Sequence, residues 1–326
     1  MSNFLPRLTL AVFAVTLAGL AFDAAAQSPY PSKSIRIVVP FPPGGSTDFL
    51  ARGIGQQFTA TWGQPVIIDN RSGGAGIVAT DIVAKAAPDG HTLLMNAINH
   101  TVNPSLYSKL PYDTLRDFAA LALVADVPIL LIVRPQLGVN SVKELIALAR
   151  AKPGHINVAA GGIGSSSHLA PELFRSAAKI EWQTIQYKGG APAFVDLLAG
   201  QVDLMFISVS TSIQHVKAGR LKALGAAGSK RVAQMPELPT IAEAGLAGYE
   251  SRAWYGLVAP ARVSQDILAK LNKEINVALQ NPEFRDANVA RGAELSGGSR
   301  EEFADLIRRE TAKYAKLVKE SGMKAE

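Results

Sequence analysis

Two glycine-rich corners hold the residues of this sequence that could do chemistry. The first, PPGGST, spans residues 42–47, and the second, GGIGSSSH, spans residues 161–168. Each lies between a segment that predicts a strand and an amphipathic segment that predicts a helix. The start of a helix presents backbone N–H groups without intrahelical partners, and glycine lets a ligand approach them closely. Two such corners, each with hydroxyl side chains, therefore predict a shared site for an anion.

The second corner also permits a different chemistry. Ser165, Ser166 and Ser167 stand directly before His168, and a serine activated by a histidine base is a common nucleophile. Adjacency along the chain does not place a base beside a nucleophile, and the sequence lacks the G-x-S-x-G elbow of α/β-hydrolases. An exported serine hydrolase or esterase therefore stays as the alternative to a binding site.

Other motifs point less clearly to chemistry. GAGIVA, residues 74–79, fits the dinucleotide fingerprint G-x-G-x-x-A, but residues 70–72 separate it from the preceding strand and no acidic residue ends the next strand. We interpret it as a turn with close helix packing and expect no cofactor. The five histidines lack the spacing of metal ligands, so we predict no metal site. Among them, His100 and His168 lie nearest the predicted ligand loops.

Composition predicts an exported, periplasmic protein that relies on its hydrophobic core. Residues 1–26 carry Arg7, an uncharged apolar run and a small-residue site that ends at Ala26, which together predict a cleaved signal peptide. Cleavage leaves 326 − 26 = 300 residues and removes one Arg and one Asp, so the net charge stays at +6. The absence of cysteine excludes disulfides and thiolate chemistry. Because the basic residues are dispersed among acidic residues, we predict no nucleic-acid binding. We also expect a monomer.

Strand and helix signals alternate through most of the chain, and only helix signals follow near the C-terminus. This alternation predicts an α/β fold with parallel-rich sheets, and the number of strands favours two lobes. Two extended stretches, residues 124–133 and 249–260, are predicted to cross between the lobes. Lobe 1 is then residues 27–125 plus 251–326, and lobe 2 is residues 126–250. A two-crossover hinge suits closure around a ligand cleft between the lobes. INHTVNPSLY, after the third strand, is predicted as a loop.

The motifs resemble those of one receptor family. The stretches that carry the resemblance are YPSKSIRIVVPFPPGGSTD, VIIDNRSGGAGIVATDIVAKAAPDGHTLL, NPSLY, GGIGSSSH, YKGGAPAFVDLLAGQVDLMF and RLKALGAAGSKR. Together they are similar to Bug-type, or TctC-like, extracytoplasmic solute-binding receptors of tripartite tricarboxylate transporters, over essentially the whole mature chain. The resemblance implies a two-lobed periplasmic-binding-protein fold of type II, no catalysis, and a membrane permease of two components as partner. It also implies that backbone amides and hydroxyls of residues 43–47 and 163–167 hold a ligand carboxylate.

The corners and the resemblance together predict the binding residues. These are Phe41, Pro43, Gly44, Gly45, Ser46, Thr47, Asn96, Ile163, Gly164, Ser165, Ser166, Ser167, His168, Tyr187 and Ser208. Valine at Gly45 or Gly164 should block the ligand and leave the fold largely intact, whereas loss of Lys188 should matter less. Trp254 and Tyr255 are compatible with packing at the hinge and with a position in the wall of the cleft, and the sequence favours neither role. The sequence does not select among a dicarboxylate, an acidic amino acid and an aromatic acid as the ligand. It also does not distinguish a role in transport from a role in sensing.

Overall fold

In the computed structural model, which describes residues 30–290, 292–323 and 325, strands and helices alternate along most of the chain. The predicted signal peptide lies outside these residues. The strands are β1 (Ile35–Val39), β2 (Val66–Asn70), β3 (Thr92–Ala97), β4 (Phe118–Val127), β5 (Ile129–Val133), β6 (Asn157–Ala160), β7 (Gln183–Gln186), β8 (Leu204–Ser208), β9 (Lys222–Ala226), β10 (Ala253–Pro260) and β11 (Glu294–Leu295). The helices are α1 (Ser46–Trp62), α2 (Ile77–Ala84), α3 (Asn99–Leu106), α4 (Val142–Ala151), α5 (Ser166–Ala178), α6 (Gly190–Leu198), α7 (Val209–Lys217), α8 (Gln265–Gln280), α9 (Pro282–Ala290) and α10 (Arg300–Ser321).

The strands form two mixed sheets. Sheet 1 has the order β11-β4-β10-β3-β1-β2, and sheet 2 has the order β7-β6-β8-β5-β9. β1 pairs in parallel with β2 and β3, and β6 pairs in parallel with β7 and β8. The remaining pairs, which involve β4, β5, β9, β10 and β11, are antiparallel. The prediction of parallel-rich sheets is therefore wrong for β4, β5, β9 and β10, the strands beside the crossings, which pair with antiparallel neighbours.

The chain changes sheet at Pro128, which joins β4 of sheet 1 directly to β5 of sheet 2. Proline has no N–H to donate, so it suits the break between two ladders, and its carbonyl accepts the N–H of Val209 at 3.0 Å. The return crossing runs between β9 and β10. Arg252 Nε donates to Asp126 Oδ1 at 2.7 Å, so an ion pair links the two crossings. The residue bounds of the two lobes stay a prediction.

The segment INHTVNPSLY departs from its prediction, because it contains helix α3 rather than forming a loop. Pro104 lies inside α3 and cannot donate to the carbonyl of His100, one turn earlier. The hydroxyl of Thr114 donates to that carbonyl at 3.1 Å instead. The missing helical bond is therefore replaced from outside the segment, which the local sequence could not indicate.

The C-terminal helix α10 packs an apolar stripe against sheet 1. The rings of Trp254 and Phe303 pack edge to face with centroids 5.8 Å apart, and Gly256 leaves room for Phe303 because a Cβ there would lie 2.1 Å from its ring. A capping box begins this helix, since Glu302 N–H donates to Ser299 Oγ at 3.2 Å and Ser299 N–H donates to the Glu302 carboxylate at 2.8 Å. The stripe residues Phe303, Ile307, Tyr314, Leu317 and Val318 are all buried.

His100 lies in this core rather than at a ligand loop. The residue is 1% exposed, and its ring packs against Tyr112 at 6.4 Å and edge-on against Phe118 at 4.9 Å between centroids. Among the described residues, neither ring nitrogen has a hydrogen-bond partner. Burial lowers the pKa of His100 from 6.5 to about 4, against a smaller opposing influence of Thr114. The ring is therefore neutral at pH 7.

We expect His100 to destabilise the protein by about 2 kcal/mol when the pH falls from 7 to 5. The unfolded histidine takes up a proton near pH 6.5, whereas the folded one stays neutral until about pH 4. The unfolded state therefore binds more protons between these values, and stability falls as the pH falls through this window. His100→Phe should remove this part of the pH dependence in denaturant unfolding at pH 5 and 7. An unchanged pH dependence in His100→Phe would contradict the prediction.

Candidate ligand-binding cleft

A cleft of about 1450 Å³ opens where strands of the two sheets end. Four helices, α1, α5, α6 and α7, begin at its wall, so their partial positive charges point toward it. The predicted site residues that line the cleft are Phe41, Pro43, Gly44, Gly45, Ser46, Thr47, Ile163, Ser165, Ser166, Ser167, Tyr187 and Ser208. Asn96, Gly164 and His168 lie behind the lining. Asn96 is 1% exposed on β3, and neither of its amide atoms has a partner among the described residues.

Loop 1, which we define as residues 40–47, leads from β1 into α1. Gly45 is the N-cap of α1, and the first helical hydrogen bond runs from Phe49 N–H to Gly45 O at 3.0 Å. The backbone N–H groups of Ser46 and Thr47 have no acceptor among the described residues. A Cβ built on Gly45 would meet nothing within 4 Å. Loop 1 therefore presents accessible donors to the cleft with no side chain over them.

Asp48 stands behind loop 1. Its Oδ2 accepts the N–H of Gly44 at 3.0 Å and the Nε of Arg52 at 3.0 Å. Burial, the largest influence, raises the pKa of Asp48, but the hydrogen bonds from Arg52 and Gly44 together hold this pKa below its usual value. Asp48 is therefore ionised at neutral pH, and the guanidinium of Arg52 balances its charge.

Loop 2, which we define as residues 161–167, leads from β6 into α5 and is held by its own hydroxyls. Ser165 Oγ donates to Gly162 O at 2.7 Å, and Gly161 N–H donates to Ser167 Oγ at 2.9 Å. The two serine hydroxyls lie 3.0 Å apart. Within the described part of the chain, the backbone N–H groups of Ser166 and Ser167 have no acceptor. Loop 2 thus repeats the donor arrangement of loop 1.

Gly164 of loop 2 and His168 in the first turn of α5 face away from the cleft. Gly164 is buried with φ +72°, and a Cβ there would lie 3.2 Å from Val102 Cγ1 of α3. His168 Nδ1 accepts the N–H of Gly164 at 3.2 Å. Burial lowers the pKa of His168, and the nearby charge of Glu172 offsets part of this effect. In the described residues, no serine hydroxyl of loop 2 bonds to His168, so the pairing of nucleophile and base that a hydrolase needs is absent here.

A third glycine-rich segment touches loop 2, and the sequence reasoning predicted Tyr187 of this segment as a site residue but gave its glycines no role. A Cβ on Gly161 would lie 2.8 Å from Gly190 Cα, so the two backbones are in contact. Gly190 begins α6 after β7 and the YKGG stretch, the same strand–glycine–helix order as loops 1 and 2. That repeated order was the available signal. Beside it, Tyr187 Oη donates to Asp196 Oδ2 at 2.7 Å, and burial together with Asp196 raises the pKa of Tyr187 to about 12.

The far wall of the cleft carries hydroxyls and aromatic rings. Ser208 Oγ lies 3.1 Å from Ser210 Oγ and 2.9 Å from Thr211 Oγ1 at the start of α7. Trp254 and Tyr255 line the cleft, and Trp254 is also fully buried in the core, so it serves both packing and wall. Further lining residues that sequence reasoning did not indicate include Ser72, Tyr107, Asn288 and Ala293, which arrive from remote segments.

Charge is almost absent from the lining. Lys188 is exposed and is the only charged side chain among the described residues that line the cleft. The described residues contain no cluster of three His, Asp or Glu side chains that could hold a metal ion. They also contain no helix with the length and apolar character that a membrane span requires. What the cleft offers a ligand is therefore mainly backbone donors, hydroxyls and apolar surface.

The turn at Gly74–Gly76 lines the cleft but is tightly packed. Gly76 has φ +87°, and a Cβ there would lie 2.2 Å from Asn99 Nδ2. The same Asn99 amide and that of Asn103 donate to Ala75 O at 2.7 and 3.1 Å. These contacts agree with the interpretation of the G-x-G-x-x-A stretch as a structural turn.

The two sheets, the double crossing and the cleft between strand ends define a two-lobed fold of the periplasmic-binding-protein class. The chain matches the tripartite tricarboxylate transporter family receptor, TctC, over residues 50–323, and it belongs to this family. The resemblance seen in the sequence motifs is thereby confirmed. Family members are periplasmic binding proteins.

Relatives support the same assignment. A UPF0065 protein from the tcbD-tcbE intergenic region of Pseudomonas sp. strain P51 is 39% identical over 100% of this chain and 97% of its own length. The structure of Rpa4515 of R. palustris with adipate is 35% identical with a TM-score of 0.83, and covers 90% of this chain and 99% of that one. MatC of Rhodopseudomonas palustris with bound malate is 33% identical with a TM-score of 0.80. The match covers 89% of this chain and 100% of that one.

The placement of Gly164 corrects the expectation that valine there leaves the fold intact. We expect Gly164→Ala to destabilise the protein by about 1–3 kcal/mol, since its φ of +72° disfavours a side chain and Val102 occupies the space. Gly45→Ala should be nearly neutral, because φ is −84° and the space is open. Thermal or urea unfolding of both variants checks this difference. Equal stability of the two would contradict the packing of Gly164 against α3.

Proposed function

We propose that this chain is an exported receptor that captures a small carboxylate between its two lobes and delivers it to the membrane subunits of a tripartite tricarboxylate-type transporter. The observation that carries the proposal is the pair of loops at one cleft, at each of which the N–H groups of the first two helical residues have no acceptor among the residues that the structure describes. Two helix starts that present unpaired donors favour an anion. The structural neighbours bound to adipate and malate support a carboxylate as that anion.

The proposed binding atoms are backbone and hydroxyl groups rather than a cation. They lie on Ser46 and Thr47 of loop 1 and on Ser166 and Ser167 of loop 2. Hydrogen bonds from neutral donors to an ionised carboxylate are stronger than those between neutral groups, so such a set can hold an acid without a salt bridge. Lys188, on the exposed rim, contributes less because water screens its charge.

The hydrolase alternative has less support. His168 Nδ1 already accepts a backbone N–H, and the hydroxyls of Ser165 and Ser167 bond within the loop. A general base must reach the proton that it removes, and this arrangement gives it none from a serine. We therefore propose a receptor rather than an enzyme.

We expect at least one small carboxylic acid to raise the melting temperature of the protein of residues 27–326. A ligand at about 100 times its Kd stabilises the folded state by about 2.7 kcal/mol. The corresponding rise is roughly 4 °C for a chain of this size. The test is thermal unfolding with adipate, malate, citrate, aspartate and benzoate, with adipamide as the uncharged control. Stabilisation by none of the acids, or equal stabilisation by adipamide and adipate, would contradict a carboxylate site.

We expect Gly45→Val to weaken binding of such an acid by on the order of 100-fold, because its side chain would cover N–H donors that each contribute one charge-assisted hydrogen bond. Gly228→Val is the matched control, since Gly228 lies outside the cleft lining and a Cβ there meets only Lys230 O at 3.9 Å. Calorimetric titration should show normal binding in Gly228→Val and only about a fivefold loss in Lys188→Ala. Loss of binding in Lys188→Ala together with normal binding in Gly45→Val would reverse the assignment.

A further inference from the structure

The same hydrogen bond recurs at the start of both helices. The residue before each N-cap is a glycine with positive φ, +90° at Gly44 and +72° at Gly164. In α1 the N–H of Gly44 donates to Asp48 Oδ2 at 3.0 Å, and in α5 the N–H of Gly164 donates to His168 Nδ1 at 3.2 Å. Asp48 and His168 are each the third residue of their helix. A capping box uses this third residue to bond the N-cap N–H, whereas here the acceptor reaches one residue further back.

Neither acceptor reaches the ligand itself. Asp48 is 4% exposed and His168 is 6% exposed, and neither lines the cleft. Each therefore acts on the loop from behind. The contribution of both residues to binding, if the cleft holds an acid, must pass through the backbone that they hold.

The bond selects which N–H groups remain for a ligand. By accepting the glycine N–H, each side chain turns that donor inward, and the donors without an acceptor among the described residues include those of the first two helical residues. In α5 the hydrogen bond between Gly164 and His168 is buried. Loss of the acceptor would leave a buried donor unpaired, and the loop would gain by turning that donor elsewhere. The free donors of the loop would then lose their common direction.

The charges of the two acceptors also fit a site for an anion. Asp48 is negative, but Arg52 donates to the same oxygen at 3.0 Å. His168 must lack a proton on Nδ1 in order to accept, and burial lowers its pKa in the direction that this requires. One acceptor is thus neutralised by its partner and the other is uncharged, so neither repels a carboxylate strongly.

We propose that Asp48 and His168 are matched positioning residues, which fix loops 1 and 2 for ligand binding by accepting the N–H of the glycine before each helix. The inference rests on the proposed carboxylate site and extends it to two side chains that do not touch the ligand. It also gives one physical role to two residues of different chemistry, each of which is the third residue of its helix.

Matched substitutions separate the acceptor atom from the bulk of the side chain. In α5 the pair is His168→Asn and His168→Leu, because Asn Oδ1 follows Cγ as Nδ1 does, whereas leucine fills similar space without an acceptor. In α1 the pair is Asp48→Asn and Asp48→Leu. Circular dichroism of the four variants of the protein of residues 27–326 checks that each is folded. The asparagine variants keep the test valid if a leucine variant is poorly folded.

Two measurements then test the inference. NMR hydrogen exchange of the Gly164 amide should be about tenfold faster in His168→Leu than in wild type and near the wild-type rate in His168→Asn, and the Gly44 amide should respond in the same way to the Asp48 pair. Titrations use adipate, malate, citrate, aspartate and benzoate. Each acid that binds wild type should lose about tenfold affinity in the leucine variants and less than about threefold in the asparagine variants.

The outcomes distinguish this inference from the proposed function. Unchanged exchange of Gly164 in His168→Leu would overturn the inference, as would wild-type affinity in that variant. An equal loss in the asparagine and leucine variants would also overturn it, because the acceptor atom would then not be the cause. If wild type bound none of the acids, the proposed function would fail, and the exchange rates alone would decide whether the acceptors hold the loops.

Discussion

The N–H groups at the first turns of α1 and α5, which have no acceptor within the described part of the chain, are the constraint on which the rest of the site depends. A helix cannot satisfy its first donors internally, and donors enclosed in a cleft need an acceptor from elsewhere. The sequence around them follows from this need. Glycine and small hydroxyl residues keep the approach open at both loops, and the charged side chains Asp48 and Arg52 neutralise each other. The carboxylate of a bound acid can accept the hydrogen bonds of these N–H groups.

The mixed sheets explain how two such starts face one another. The parallel pairing of β1 with β2 and β3 places the ends of those strands at one edge of sheet 1, and β6, β7 and β8 do the same in sheet 2. The antiparallel strands β4, β5, β9 and β10 carry the chain between sheets. Because β4 runs into β5 through Pro128 alone, the two edges stay adjacent, and ligand donors from distant parts of the chain meet in one cleft.

Sequence reasoning succeeded where the signal was local. The strand–glycine–helix order of loops 1 and 2 and the α/β alternation both rest on residues that are close along the chain. It failed where a remote partner decides the outcome. Helix α3 contains Pro104 because the Thr114 hydroxyl replaces the missing donor, and no local pattern shows this. Asn288 lines the cleft only because the C-terminal segment returns to it.

The direction of side chains within a recognised motif was a second source of error. GGIGSSSH suggests that all its residues serve the ligand, yet the helical turn sends Ser166 and Ser167 toward the cleft and His168 behind it. The helical period and the backbone φ angles, rather than the residue type, decide which residues of the motif reach a ligand. Gly164 shows the same point, since its positive φ turns it toward Val102 of α3 instead of toward the cleft.

Helix α5 therefore has two faces with different tasks. Its start lines the cleft, while Leu169 lies in the apolar cluster that includes Phe303 of α10, and Ala170 O accepts the hydroxyl of Tyr249 at 2.9 Å. These contacts join a helix of sheet 2 to the core of sheet 1 beside the crossings. Loop 2 is thus followed by a helix that contacts the core of sheet 1 and the segment before β10, whereas loop 1 is held by Asp48 of α1 and by Asn70 of β2, whose amide donates to Phe41 O at 3.0 Å. A movement that separates the sheets would therefore alter these contacts of α5.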